Sequence, residues 1–343
     1  MKLYNSMSVV ICSFAFFFIA SSAVSAPPEN PNLTNFGYYH GDMNFNQSDG
    51  SGYVSDNLDA IGGWHNSNVV SFSVWPRYYS SHQDILHQHL QKAASYGMKV
   101  LLNVYGIFFD YNDSGSLMSD WQSAWNNYKN AIAGYEDKIL GFYIDEPKQS
   151  GVTESDFHTV TQKIRQDYPD KKMMSVISYD TLMDNTVTSS YLQYCTDAGF
   201  DYYYGSWNWW DYWNDREHYY PYLFDKFKTE KAPTQNLWVI PKVFKGAIAD
   251  DPNPPKDDIE NWYDLAKGEQ RTVGMLNFTY ASYWDGNGNA IGAGQLFDET
   301  NANYDSELKA THISIGQEVI PEPATILIML LAVVSLKIGK RDC

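Results

Sequence analysis

Two acids close an apolar run at Gly141-Phe142-Tyr143-Ile144-Asp145-Glu146-Pro147. Neighbouring carboxyl groups suit acid–base chemistry when their surroundings push their pKa values apart, so that one keeps its proton while the other stays charged. Pro147 has no N–H to offer a sheet ladder, so a strand ends there and the chain kinks at the two acids. The plainer reading of the same residues is a helix-capping Asp with a solvated Glu beside it. Acids that could complete a working pair from elsewhere are Asp180, Asp285 and Asp42, with Asp285 the preferred partner.

Short apolar runs alternate with longer amphipathic stretches along residues 27–320. The runs predict strands at Phe36–His40, Val69–Trp75, Lys99–Phe108, Ile139–Asp145, Lys172–Tyr179, Phe200–Ser206, Leu237–Phe244 and Val273–Trp284. The 3.6-residue patterns predict helices at Ser55–Trp64, His82–Tyr96, Ser119–Tyr135, Glu154–Asp167, Ser190–Ala198, Glu217–Thr229, Asp257–Lys267 and Ser306–Gly316. Gly97 and Pro169 act as helix stops just before strands. Eight such units fit a closed (β/α)8 TIM barrel, an α/β fold of ~250 residues plus insertions, in a single domain. A doubly wound open sheet is the alternative, but no glycine-rich phosphate loop follows the first strand.

Chemistry in such a barrel sits at the C-terminal ends of the strands. Those ends read His40 and Asp42, Trp75 and Arg77, Asn103, Tyr105 and Asp110, Asp145 and Glu146, Tyr179 and Asp180, Trp207 and Asn208, Lys242, then Trp284 and Asp285. Carboxylates and indoles dominate. From this set, Glu146, Asp145 and Asp285 are expected to be catalytic. His40, Trp75, Asn103, Tyr105, Asp180, Trp207, Lys242 and Trp284 are expected to bind substrate.

The Asp145-Glu146-Pro147 strand end resembles the Asn-Glu-Pro or Asp-Glu-Pro end of strand four in many (β/α)8 glycoside hydrolases. That resemblance implies that Glu146 is the proton donor to the leaving oxygen, beside a negative group that supports an oxocarbenium-like transition state. In the large retaining clan of that family a glutamate ends strand seven and serves as nucleophile. Here strand seven reads Leu237-Trp-Val-Ile-Pro-Lys-Val-Phe244, with Lys242 in the place of the acid. Two arrangements therefore stay open: a carboxylate from another strand, or the adjacent-acid scheme of hexosaminidase-type enzymes, where the substrate's own acetamido group attacks.

Trp207, Trp209, Trp210 and Trp213 crowd one stretch behind Tyr202–Tyr204. Flat rings with polar tips suit the C–H faces of sugars in a half-wet cleft, and they suit equally a hydrophobic seam under a loop. Trp284 resembles the sugar-platform tryptophan of hydrolase barrels. No metal or other cofactor is expected. His82, His87 and His89 lack the i, i+4 spacing of helical ligands and read as surface residues. Asp285-Gly-Asn287-Gly-Asn289 begins like a calcium loop, but Ala290 stands where that loop needs Gly and Leu296 where it needs Glu.

The two ends read as addresses. Lys2, the apolar run Val9–Ala20 and the small residues Ser21–Ala26 have the layout of a secretory signal, residues 1–26. Pro321-Glu322-Pro323, an apolar stretch to Leu336 and the basic residues Lys337, Lys340 and Arg341 resemble the PEP-CTERM sorting signal of bacterial exported proteins, covering residues 321–343. The resemblance implies an exosortase-type processing partner and a transient membrane association, with the body of the protein at the cell surface or beyond. The chain carries a net charge of −17 from 24 basic and 41 acidic residues, which argues against nucleic-acid binding. Of three cysteines only Cys195 lies between the end segments, so no intramolecular disulfide braces the domain. The reading is an exported glycoside hydrolase-like barrel that cleaves a polysaccharide by carboxylate general acid/base catalysis. Its competitor is a non-catalytic carbohydrate-binding or matrix protein on the same scaffold.

Overall fold

Strict alternation along the strands sorts their side chains into two separate cores. In the computed structural model, which describes residues 30–41, 57–64, 67–73, 81–110, 115–202, 219–244, 256–278, 283–284 and 289–320, eight parallel strands close into one barrel in sequence order. They are β1 (Asn35–Tyr38), β2 (Val69–Phe72), β3 (Lys99–Asn103), β4 (Ile139–Ile144), β5 (Lys172–Ile177), β6 (Asp197–Tyr202), β7 (Asn236–Pro241) and β8 (Thr272–Asn277). Closure comes from β1 pairing with β8, Gly37 opposite Leu276 and Tyr38 opposite Asn277. Residues Pro28–Ile320 form one compact unit. Residues 1–26 and 321–343, expected to be a secretory signal and a sorting tail, lie outside the described residues.

Outward-facing residues such as Phe36, Val70, Leu102, Phe142 and Phe200 pack under the surrounding helices. Inward-facing Tyr39, Val69, Leu101, Tyr143, Met174, Val176, Trp238, Ile240 and Leu276 fill the lumen, so the barrel is a packed core with a mouth, not a pore. Trp238 is the plug. A Cβ added at Gly274 would lie 2.3 Å from its indole, so the glycine makes room for the ring. Near the N-terminal end of the strands Asp197 Oδ1 accepts from Trp238 Nε1 at 2.9 Å and from Lys172 Nζ at 2.7 Å.

The helices follow ordinary local rules. Helix Glu154–Asp167 starts where Thr153 Oγ1 accepts from the Asp156 amide at 3.1 Å, and its buried stripe is Phe157, Val160, Thr161 and Ile164. Helix Ser306–Val319 starts on Asp305, whose Oδ1 accepts from the Leu308 amide at 2.9 Å. Among the described residues no helix is long and apolar enough to cross a membrane.

Several element bounds differ from the sequence expectation, each for a visible reason. The run after Lys99 is not one long strand: Asn103 Oδ1 accepts from the Tyr105 amide at 2.9 Å and turns the chain into a short helix, Tyr105–Phe108. The expected helix Ser190–Ala198 shrinks to a 3-10 turn, Ser189–Leu192. Thr196 is drawn into the sheet instead, donating its amide to Met173 O at 2.9 Å and accepting the Met173 amide on Oγ1 at 2.8 Å. Strand β6 therefore begins at Asp197 and not at Phe200. The last predicted strand splits, since β8 ends at Asn277 and Tyr283–Trp284 pairs with Asn289–Ala290 in a separate antiparallel ribbon. His89, expected at the surface, is 1% exposed and packs against Phe72, with ring centroids 5.5 Å apart.

Candidate active site

Glu146 breaks the alternation that precedes it. Tyr143 and Asp145 face the lumen side of β4 and its extension, so an extended Glu146 would face the helices. Its φ of 37° places it in the left-handed region instead, which turns the chain and brings the carboxyl round to the barrel mouth. Such a conformation is rare for a residue with a Cβ and costs on the order of 1–3 kcal/mol, held here by the surrounding structure. His40, at the mouth after β1, shares the left-handed backbone with a φ of 50°.

The two acids sit in different electrostatic surroundings. Asp145 Oδ1 accepts from the Tyr39 hydroxyl at 2.7 Å. Burial raises its pKa to about 6, and the Tyr39 bond works the other way, favouring the anion. Glu146 is pushed up to about 10, first by burial, then by repulsion from Asp201 and Asp145, a hydrogen bond with Asp201 and the charge of Asp180. Both carboxyls are thus pushed toward holding a proton, Glu146 the further, while the Tyr39 bond favours the anion of Asp145. A difference of that kind is what acid-catalysed bond cleavage requires.

A wall of rings and hydroxyls braces this pair. Tyr39 packs edge-on to Tyr143, centroids 5.2 Å apart, and against Phe278 at 5.4 Å. Ser71 Oγ accepts from the His40 amide at 2.9 Å and from the Tyr143 hydroxyl at 3.3 Å. His40 Nδ1 lies 2.7 Å from Ser73 Oγ, and burial lowers the imidazole pKa to about 3, so this ring is neutral. Lys242 follows β7 directly, two residues beyond the inward-facing Ile240, and bridges to Phe278 just past the end of β8. Its ammonium lies 4.6 Å from the Phe244 ring centroid, and Phe244 packs on Phe278.

The structure thus joins Asp145, Glu146 and Asp180 in one electrostatic group, with His40 and Lys242 on the wall reached through Phe278. Tyr105 does not line the mouth: it is fully buried in the helix-side core, because the turn at Asn103 carries it off the strand. Asn103 is 2% exposed and spends its side-chain oxygen on that turn. Trp284 lies on the two-stranded ribbon and not at the end of β8. Trp75, Trp207, Asp285 and Asp42 lie outside the described residues, as do Arg77, Asn208 and the loop Asp285–Gly288. Among the described residues no group of His, Cys, Asp or Glu could hold a metal ion.

Asp201 and Tyr39 were missed from sequence. Asp201 was hidden by the displaced strand boundary, which made it an interior residue of strand six. The alternation Asp197, Gly199, Asp201 on one face and Ala198, Phe200, Tyr202 on the other was the available signal. Tyr39 carried none beyond its place beside His40.

No protein-family model and no curated protein matches the chain. Among solved structures it is similar to a β-glucuronidase from Ruminococcus gnavus in complex with N1-substituted uronic isofagomine. That match has 13% identity and a TM-score of 0.51, and covers 84% of this chain and 49% of that one. The chain therefore spans about half the length of that enzyme. A glycoside hydrolase family 5 mannosidase from Rhizomucor miehei aligns over 86% of this chain and 96% of its own, with 10% identity and a TM-score of 0.55. A GH5-4 broad-specificity endoglucanase from an uncultured bovine rumen ciliate aligns over 85% and 98%, with 14% identity and a TM-score of 0.52. At these identities the likeness establishes the (β/α)8 fold.

Proposed function

We propose that the chain is an exported glycoside hydrolase that cleaves a polysaccharide, with Glu146 as general acid/base. One observation carries this reading: Glu146, crowded by Asp201 and pushed toward its protonated form, beside a Tyr39-bound Asp145 at the barrel mouth. In the forward step the Glu146 proton passes to the glycosidic oxygen as the C–O bond breaks, and Glu146 becomes the carboxylate that later activates water. Asp145 supports the positive charge that develops at the sugar. The likeness to a β-glucuronidase, a mannosidase and an endoglucanase supports a carbohydrate substrate.

Lys242 at the end of β7 is the observation that favours other routes over a conventional retaining pair. One is substrate assistance, in which an acetamido oxygen on the sugar attacks and Asp145 stabilises the amide N–H. The other is a binding protein that has kept the frame of an enzyme. The secretory signal and the PEP-CTERM-like tail support export, with an exosortase-type enzyme as processing partner.

The test is a panel of polysaccharides and aryl glycosides, N-acetylhexosaminides included, with Glu146→Gln in parallel. Turnover by the natural protein and a loss of about 10²–10⁴-fold in the variant are expected. Turnover that survives the substitution overturns the role of Glu146. Glycan affinity without turnover in either protein selects the binding reading.

A further inference from the structure

Resting on that reading of Glu146, we propose that Asp201 is the positioning residue of the site: a buried carboxylate on β6 that accepts a hydrogen bond from the Glu146 carboxyl and holds it, with its proton, toward the mouth. Asp201 is 3% exposed and stands on the lumen face of β6, in register with Ile240 of β7. Strand β5 lies between β6 and β4, so the carboxyl of Glu146 meets Asp201 across the mouth and not along a neighbouring strand. The left-handed backbone at Glu146 is what makes this meeting possible, because an extended residue there would point away from the lumen.

Two ionised carboxylates have only acceptors, so a hydrogen bond between them needs one proton. Here Glu146 is the donor and Asp201 the acceptor. The hydrogen bond also bears on which role Asp201 takes. An inverting base stands ~6.5–9.5 Å from the acid and a retaining nucleophile ~5–5.5 Å, each across the scissile bond. Bonded to the proton donor itself, Asp201 takes neither of those roles in this proposal. Among the described residues, the charged and titratable groups around Glu146 are Asp145 beside it, Asp201 from β6 and Asp180 from the short helix after β5, with Tyr39 facing Asp145 and Lys242 just past β7. Asp201 alone of the three acids both repels the anion of Glu146 and bonds to it.

The experiment follows the protonated-carboxyl infrared band of the purified full-length protein from pH 4 to pH 11, without substrate. Glu146→Gln identifies the band. In the natural protein it should persist above pH 8. In Asp201→Asn it should titrate at least one pH unit lower, whereas Asp180→Asn should move it by less and Asp201→Glu should largely restore it. Should Asp201→Asn not fold, the Asp180→Asn and Asp201→Glu titrations against the natural protein still decide: a shift with Asp201→Glu no smaller than with Asp180→Asn overturns the assignment. An unmoved band in folded Asp201→Asn, or no Glu146 band above pH 8 in the natural protein, overturns it as well. On an active substrate the alkaline limb of the kcat/KM profile should move with the band. A band that shifts as expected in a protein with no turnover would sink the hydrolase reading and leave the role of Asp201 standing.

Discussion

At Glu146 one residue carries both a strained backbone and a proton it would lose in water. The two costs can be separated by experiment. Glu146→Gly and Glu146→Ala both remove the carboxyl, but only Gly adopts a φ of 37° freely. Thermal unfolding should find the Gly variant more stable than the Ala variant by about 1–2 kcal/mol. The proton has its own signature. Between the ordinary carboxyl value of 4.5 and its raised value of about 10, the folded state binds more protons at Glu146 than the unfolded state does. This contribution to stability therefore falls as pH rises through that window. Glu146→Gln, which keeps an N–H for Asp201, should match the natural protein near pH 4 and exceed it by pH 8–9. The gain should be on the order of 2–4 °C in Tm for each kcal/mol relieved. A variant whose advantage did not grow with pH would show that Glu146 is ionised without penalty.

Elements place these residues through close backbone contacts more than through individual bonds. Strand β1 brings Tyr39 and His40 to the mouth, and it can do so only because Gly37 lies against β2. A Cβ at Gly37 would fall 1.7 Å from the Val69 carbonyl oxygen, a backbone atom that cannot swing aside. At Gly199 the nearest atom is the end of the Ile240 side chain at 2.9 Å. Gly37→Ala should therefore cost about 1–3 kcal/mol or more, and Gly199→Ala clearly less. Denaturant unfolding ranks the two. Because the first substitution pushes β1 from β2, it should also weaken the Tyr39–Asp145 bond and lower activity in the protein that still folds. The turn at Asn103 is a second placement device: one side-chain bond to an amide ends β3 and buries Tyr105 on the helix side.

For the whole molecule the packed lumen separates a structural end from a chemical end. Asp197, Lys172 and Trp238 form a charged anchor near the starts of the strands, and the acids gather at the other rim. Asp197→Ala leaves Lys172 and the buried Trp238 N–H without their shared acceptor. Since the Lys172 side chain is 23% exposed, the loss should fall below the ~3–5 kcal/mol of a fully buried pair. Its Tm should drop, yet its kcat/KM pH profile and the Glu146 titration should stay in place. Movement of either would mean that the ends are coupled through the lumen.

The barrel was legible in residue order alone, because hydrophobic periodicity is local and eight strand–helix repeats leave few ways to bury both faces of a parallel sheet. It also singled out Asp145-Glu146-Pro147 and the lysine of strand seven, since an acid pair closed by proline and a cation in an apolar strand are visible without partners. Helix Glu154–Asp167 was legible to the residue, and the structure adds Thr153 as its cap. Which acid faces Glu146 was set by contacts between distant strands. The start of β6 depends on Thr196 joining Met173 across the sheet, a contact between residues 23 positions apart. A shift of a few residues in that boundary hid Asp201 and gave its place to Trp207. The buried Tyr105 and the donor Tyr39 follow the same logic. Periodicity tells which face a residue takes within its own element, but the side chain it meets is set by register between strands and by where each strand stops.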